Sequence, residues 1–590
     1  MRIADLIQSL GVTIANRDAA PTSAPHGELG DIRICDITED SRTVLPGSLF
    51  VARKGEKSDG RAFVPGAIDA GAVAILTDDP ALQLPEHHRP HGPVALLLAP
   101  DLALATAQLA ERFYGDPSSK LTVIGVTGTN GKTTTTFLIH QMLNALGIRC
   151  GLIGTVVIDD GVEVAPASLT TPPALELSRT LARMCDAGCA AAVMEVSSHS
   201  LHQRRVGAVA FNAGVFTNLT HDHLDYHGTM EHYGAAKAML FAALPADGVA
   251  VLNVQDPAHS QMAKATKARL VRCKVDGGPG SGGGALSIAG GAAEETVRRA
   301  RVVGVGTAST EVEFSGFAEH AQTVRVPLIG AFNVMNALQA VAVVHALYGG
   351  TGEDDFSFEI IAGALARSAP PPGRVEPVTR DGESIAVFVD YAHTDDALKT
   401  VLSTVRGAMN DRAAVIGGPK AASAGRLWCV FGCGGDRDRT KRPKMGCIAA
   451  ELADRVVITS DNPRTENAAA IIAEIQTGIA SGHAGKTSTE ADRERAIQQA
   501  IREALPGDVV VIAGKGHEDY QILPDPARPG TTITRHFDDR EVARAALVAR
   551  GIKTRPVPKA RKGEDADDFA LDEVVDPPEN PGLGTSTVSG

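Results

Sequence analysis

The sequence predicts an α/β protein of three domains built mostly on parallel sheets, and three observations carry that expectation. Short runs of Val, Ile, Leu and Ala recur along the chain with helical segments between them, as for strands buried on both faces. One run, 121–124, leads into a glycine-rich turn and then an amphipathic segment at 137–143, a strand–loop–helix unit. The 590 residues, 44% hydrophobic and 22% charged, have the balance of a globular chain long enough for about three or four domains.

Residues 1–117 alternate apolar runs (71–76, 94–98) with helical segments and read as a small N-terminal α/β domain. Residues 118–368 continue the alternation through 191–196 and 248–253, a central domain with a parallel sheet covered on both faces. Within it, 276–291 is nearly all Gly, Ser and Ala and reads as a flexible surface insertion. Ala369-Pro370-Pro371-Pro372-Gly373 is a linker, expected to act as a hinge. The segment 369–553 carries four buried-strand candidates (385–390, 427–432, 456–459, 509–514), a doubly wound, Rossmann-like domain. The stretch 554–590 is Pro-rich and acidic, the composition of a disordered tail.

Composition excludes several classes. A net charge of −13 gives no general electrostatic support for binding nucleic acid. The first residues lack the apolar core of a signal peptide, and no apolar stretch is long enough for membrane insertion. Cys185/Cys189 and Cys429/Cys433 come closest to pairs among eight cysteines, but no matching His or Cys cluster follows. That argues against zinc and disulfide frameworks, and for reduced thiols in the cytoplasm.

The glycine-rich turn, Gly128-Thr129-Asn130-Gly131-Lys132-Thr133-Thr134, has the chemistry of a phosphate loop. Its glycines let backbone N–H groups turn toward a phosphate at a helix N-terminus. Lys132 is placed to reach terminal phosphates, and the Thr133 hydroxyl a magnesium ion. Val126 stands where the common GxxxxGKT form has its first glycine, so the loop belongs to a special class. Further polar clusters follow strand candidates, where open α/β sheets place ligands. Glu195 offers the hard oxygen that magnesium prefers. Asp222, His223, Asp225 and His227 read equally as a metal site or as a hydrogen-bonded turn with capping aspartates.

Ten motifs in order resemble the Mur ligases, ATP-dependent amide-bond-forming enzymes of cell-wall synthesis. They are Asp40-Ser41-Arg42, the phosphate loop, Thr170-Thr171-Pro172, Glu195-Val196-Ser197-Ser198-His199, and Asp222-His223-Leu224-Asp225-Tyr226-His227-Gly228. The series continues with Gly330-Ala331-Phe332-Asn333-Val334-Met335-Asn336, Gly373-Arg374-Val375-Glu376, Asp390-Tyr391-Ala392-His393-Thr394, Asp461-Asn462-Pro463-Arg464 and Gly514-Lys515-Gly516-His517-Glu518. Asp395 replaces a usual proline and His221 a common arginine, neither at a position assigned to chemistry.

The resemblance implies ATP on the phosphate loop and Lys132. It implies Mg2+ on Thr133, Glu195 and His223, adenine-side contacts at Asn333 and Asn336, a phosphate-binding Arg374 and a ribose contact at Asp390. Ser41, Thr170, Thr171, Ser197, Gln203 and Arg205 match positions holding UDP-N-acetylmuramoyl-L-alanyl-D-glutamate. Lys237 matches a carbamylated lysine that supplies a further oxygen to magnesium, although an isolated helical lysine is ordinarily a snorkelling surface residue.

Arg437, Asp461, Asn462, Pro463, Arg464, Gly514 and Glu518 match contacts to meso-2,6-diaminopimelate. That amino acid differs from lysine by a second carboxylate, which a guanidinium fork suits. Asn-Pro also reads simply as a turn after a strand. The implied reaction is transfer of the ATP γ-phosphoryl group to a D-glutamyl carboxylate, then attack by the amine. The rivals are a lysine-adding relative, a folylpolyglutamate-type ligase, and a nucleotide-gated binding protein without ligase activity.

Overall fold

The computed structural model describes residues 1–15, 29–55, 58–85, 92–277, 297–350, 352, 355–416 and 425–555. Three sheets organise them. The first has strands β1 (Thr13–Ile14), β2 (Asp36–Thr38), β3 (Ser48–Val51), β4 (Ala74–Thr77) and β5 (Ala95–Leu98). Their order is β1-β5-β4-β3-β2, parallel except for the β1–β5 pair.

The second sheet has eleven strands. They are β6 (Thr122–Thr127), β7 (Cys150–Ile153), β8 (Val157–Asp159), β9 (Val164–Pro166), β10 (Ala191–Glu195), β11 (Ala213–Phe216), β12 (Val249–Asn253), β13 (Arg269–Asp276), β14 (Val297–Val305), β15 (Thr310–Ser315) and β16 (Gln322–Val326). The order is β16-β15-β14-β13-β12-β11-β6-β10-β7-β8-β9, parallel from β14 to β7 and antiparallel at both flanks. Central β6 is buried on both faces. Val123 packs with Leu177, Leu240 and Phe241 on one side, and Ile124 and Val126 with Leu138 and Leu338 on the other. The antiparallel flanks lie outside the sequence expectation. β15 alternates buried with more exposed residues, the pattern of a strand with one wet face rather than of a continuous apolar run.

The third sheet orders β17 (Glu376–Pro377), β18 (Ala386–Asp390), β19 (Leu427–Phe431), β20 (Arg455–Ile458), β21 (Thr487–Thr489) and β22 (Val509–Ala513) as β17-β18-β22-β19-β20-β21. Only β17–β18 is antiparallel. The four strand candidates form its centre. β17, β21 and the hairpin β23 (Tyr520–Pro524)–β24 (Thr532–His536) were not foreseen, being short or largely exposed.

The sheets are joined by specific contacts. Ser178 Oγ donates to Glu111 Oε2 at 2.8 Å, tying the Ala174–Asp186 helix to the Leu102–Phe113 helix. Gln141, on the Lys132–Ala145 helix, grips the Ala369 backbone from both ends, at 2.9 and 2.8 Å. The chain also stays in place beyond 553. Thr554 bridges to Thr379, and Arg555 bonds to Val378 O (2.8 Å) and Ala308 O (3.1 Å). The expected disorder at 556–590 and the body of the glycine-rich insertion, 278–291, lie outside the described residues. Among those described, no helix is long and apolar enough to cross a membrane.

Candidate active site

The phosphate loop leaves the end of β6 and is wedged between β11 and the Ala331–Tyr348 helix. Gly128 (φ 150°) and Gly131 (φ 87°) are required there. A Cβ on Gly128 would lie 1.8 Å from Thr217 Oγ1, and one on Gly131 2.4 Å from Asn336 Oδ1. Thr129 N donates to Asn218 O and Asn130 N to Asn218 Oδ1, both at 2.9 Å. Thr133 and Thr134 sit in the first helical turn. Lys132 curls back so that its Nζ meets Gly128 O at 3.0 Å and Thr129 O at 2.9 Å. Enclosure of that ammonium lowers its pKa, the Glu195 and Asp222 charges act in the opposite direction, and the Arg374 charge lowers it further.

Glu195, at the end of β10, is fully buried. Its Oε2 accepts from Thr133 Oγ1 at 3.1 Å, which brings two oxygen groups expected near magnesium into contact. Thr155 holds both carboxylate oxygens, N to Oε1 at 2.8 Å and Oγ1 to Oε2 at 3.0 Å. Lys237 is 1% exposed, so the surface-lysine reading fails. The Met230–Ala242 helix packs against the sheet and points Lys237 inward, its Nζ donating to Gly128 O at 2.8 Å over the Tyr233 ring. Burial and the Lys132 charge push its pKa well below the ordinary lysine value.

His223 (φ 52°) has its ring edge-on to His199 at 4.9 Å and its Nε2 3.4 Å from Asp222. His227 is buried, within hydrogen-bond distance of Ser198 Oγ (2.9 Å), with its pKa held down to about 4 by burial and by surrounding histidines. The Asp225 side chain lies outside what is described. Among the described residues no three His, Cys, Asp or Glu gather as a metal group.

Asn333 and Asn336 are buried and joined to each other at 3.2 Å, with Asn333 anchored to Ile329 O. Arg374 lies over the Tyr391 ring (5.4 Å), and its Nε is buried without a hydrogen-bond partner. Both oxygens of Asp390 are engaged, by Val375 N at 2.7 Å and Ala392 N at 2.8 Å, and burial raises its pKa. On the other side of β10, Thr170 Oγ1 accepts from Thr155 at 3.1 Å. Thr171 Oγ1 links Glu195 O (2.8 Å) to Ser197 N (3.1 Å), and Arg205 binds Thr171 O (2.9 Å) and Gln203 Oε1 (2.7 Å). Ser41 opens a turn of the first domain capped by Asp40. Glu39 and Arg53 from that domain lie near enough for their charges to act on Arg205.

The third sheet gathers the remaining group. Asn462 Nδ2 donates to Glu518 Oε2 at 3.0 Å, and Asn462 Oδ1 accepts from Ile522 N at 3.0 Å. Asp461 is buried beside them. Arg464 (φ 53°), following Pro463, bonds through Nη1 to Gly435 O at 2.8 Å, and Arg437 flanks Gly434. The 434–435 turn is itself held by fully buried Arg442, which reaches Gly434 O and pairs with Glu466 and Glu474. Gly514 closes β22, its N–H bonded to Asp390 O. Tyr391 lies between the two halves, within the fields of Glu518, Arg374, Asp461 and Arg437.

Three family models match in order: the Mur ligase family catalytic domain over 33–114, the Mur ligase middle domain over 126–344, and the Mur ligase glutamate ligase domain over 373–516. A Gloeobacter violaceus protein named UDP-N-acetylmuramoyl-L-alanyl-D-glutamate–2,6-diaminopimelate ligase is 44% identical over 90% of this chain and 97% of its own. The chain belongs to the Mur ligase family. A Geobacillus thermodenitrificans relative of the same name is 41% identical over 88% of this chain and 96% of its own. A solved structure bearing that ligase name superposes with a TM-score of 0.60 at 29% identity, covering 92% of this chain and 99% of the other. MurF from Acinetobacter baumannii shares the fold at 18% identity and a TM-score of 0.53, over 88% of this chain and 96% of its own.

Two residues of this Mur ligase escaped the sequence reading. Thr155 lies in no quoted motif, and a threonine after a strand gives no signal that it fixes Glu195. Lys515 lies inside a quoted motif, a lysine between two glycines, yet it is fully buried among the residues matched to diaminopimelate.

Proposed function

We propose that this Mur ligase joins meso-2,6-diaminopimelate to UDP-N-acetylmuramoyl-L-alanyl-D-glutamate at the expense of ATP, a cytoplasmic step of peptidoglycan precursor synthesis. The observation that carries the reading is Arg374 of the nucleotide side lying over the Tyr391 ring at 5.4 Å, with Asp461, Glu518 and Arg437 of the amino-acid side near enough for their charges to act on the same tyrosine. Relatives of that ligase name at 41–44% identity support it.

Chemistry proceeds in two steps. A D-glutamyl γ-carboxylate oxygen attacks the γ-phosphorus of ATP, giving an acyl phosphate and ADP. The amine of diaminopimelate then attacks the acyl carbon, and the tetrahedral intermediate collapses with loss of phosphate and a proton. Lys132 and Arg374 hold and neutralise the phosphates, with Lys132 exchanging loop carbonyls for phosphate oxygens. The hard oxygens of Thr133 and Glu195, 3.1 Å apart, fit Mg2+ and would hold it, with His223 as the further ligand that the family resemblance implies. When bound, that ion neutralises charge on the β- and γ-phosphates. Lys237, disfavoured as an ammonium, is suited to react with CO2 as the neutral amine, forming an N–C bond and losing a proton to become a carbamate. Asn333 and Asn336 take the adenine side and Asp390 the ribose. Ser41, Thr170, Thr171, Ser197, Gln203 and Arg205 take the UDP-muramoyl substrate.

Phosphate release from MgATP and UDP-muramoyl dipeptide, measured across a panel of amino acids, tests this. Release should depend on both substrates and favour diaminopimelate. Release that ignores the amino acid, or that favours lysine or glutamate, contradicts the reading.

A further inference from the structure

Lys515 is fully buried, at the floor of the group matched to diaminopimelate. Its Nζ donates to Glu518 Oε2 at 3.3 Å and to Asn462 Oδ1 at 3.2 Å, and lies 3.9 Å from Asp461 Oδ1. The Tyr520 ring covers it at 5.4 Å. Arg493, fully buried nearby, is committed to Asp539 by two contacts of 2.7 Å and to the carbonyls of Ser460 and Ala513, and Arg442 to Glu466 and Glu474. Arg464 and Arg437 lie against the 434–435 turn. Two carboxylates, Asp461 and Glu518, therefore share one close cation, so the floor carries a single excess negative charge.

We propose that Lys515 is a specificity-determining residue, setting that charge so that the pocket takes an amino acid with a zwitterionic far end over one ending in a bare ammonium. The inference rests on the functional reading above and adds to it how discrimination is set. One excess negative charge matches one substrate ammonium and leaves the second carboxylate to the arginines. With Lys515 neutral, two close carboxylates would draw a bare ammonium more strongly and repel the carboxylate beside it, because charges enclosed by protein act with little screening. Lys515 also locks the Glu518 carboxylate and the Asn462 amide in one orientation, so it acts through both.

The test compares kcat/KM for meso-diaminopimelate and for lysine in the wild type, K515M, K515R and the double variant K515M/E518Q, with KM for ATP and melting temperature alongside. K515M should lower the diaminopimelate-to-lysine ratio at least about tenfold, with KM for ATP unmoved. K515R should retain most of the preference. K515M/E518Q, which restores the single excess charge, should recover the ratio to within about threefold of wild type. If K515M does not fold, the double variant and K515R decide by the same ratios. Equal losses for both amino acids, or a double variant no more selective than K515M, would overturn the role of Lys515. A wild type that does not use diaminopimelate would overturn the functional reading itself, and this inference with it.

Discussion

Lys237 Nζ donates to Gly128 O at 2.8 Å, and Lys132 Nζ reaches the same oxygen at 3.0 Å. Two amines from residues 105 positions apart meet on one carbonyl of the phosphate loop. Burial and the Lys132 charge disfavour the charged form of Lys237, which suits it to react as a neutral amine. Lys237→Ala should lose at least about a hundredfold in turnover, as removal of a charge-stabilising group does, while keeping its circular dichroism. Acetate should restore part of the rate by replacing the missing oxygen, and Lys237→Arg should not rescue. Phosphate release with and without acetate reads this out. Wild-type turnover in the alanine variant would exclude Lys237 from the mechanism.

Arg464 takes a left-handed backbone and holds Gly435 O at 2.8 Å, so it supports its loop as well as facing the proposed substrate. Arg464→Ala should cost about 2–5 kcal/mol in diaminopimelate kcat/KM, the usual loss when a buried charge pair loses one partner. Lysine kcat/KM should fall much less, since lysine has no second carboxylate. Arg464→Lys should rescue only in part, an ammonium being unable to form the fork. Equal losses for the two amino acids would assign Arg464 to loop support alone.

Much of this was legible because catalytic and binding groups cluster at strand ends. The apolar runs locate β4, β5, β6, β10, β12 and the four central strands of the third sheet, and the glycine spacing locates the phosphate loop. What escaped is set by tertiary contact. The helix holding Lys237 gives no sequence signal that its lysine faces inward, toward Gly128. Thr155 meets Glu195 from 40 residues away and Lys515 meets Asn462 from 53. The Asp222–His227 turn reads equally as a metal site and as a hydrogen-bonded turn, with no sign in the sequence that His227 lies against Ser198.

Gln141 binds the Ala369 backbone at both its N–H and its carbonyl, at 2.8 and 2.9 Å. It fixes the start of the linker against the Lys132–Ala145 helix and hence where Arg374 arrives. Gln141→Leu should remove about 1–3 kcal/mol of stability and lower kcat about tenfold or more, as small misplacements do, with little change in nucleotide affinity. Melting temperature, kcat and ADP titration separate these effects. An unchanged kcat would mean that the linker is placed by other contacts.

His517 titrates near 4, held down by burial and by the Arg374 and Arg540 charges. The unfolded chain takes up a proton at the ordinary histidine value, near 6.5, before the folded one does, so stability should fall as pH drops from about 6.5 to about 4. Allowing for its partial exposure, the loss should be about 1–3 kcal/mol. His517→Gln should flatten that part of the curve, read as unfolding midpoints between pH 7 and pH 4. A variant that loses stability in parallel with wild type would place the effect in other groups.

The most direct test of the central claim is the mass of the UDP-muramoyl product formed from UDP-N-acetylmuramoyl-L-alanyl-D-glutamate, MgATP and an equimolar mixture of meso-diaminopimelate and lysine. The account expects a product heavier by one diaminopimelyl residue, with one phosphate released per product and little of the lysyl product. A lysyl product in equal or greater amount, or phosphate release without any new amide, would contradict it.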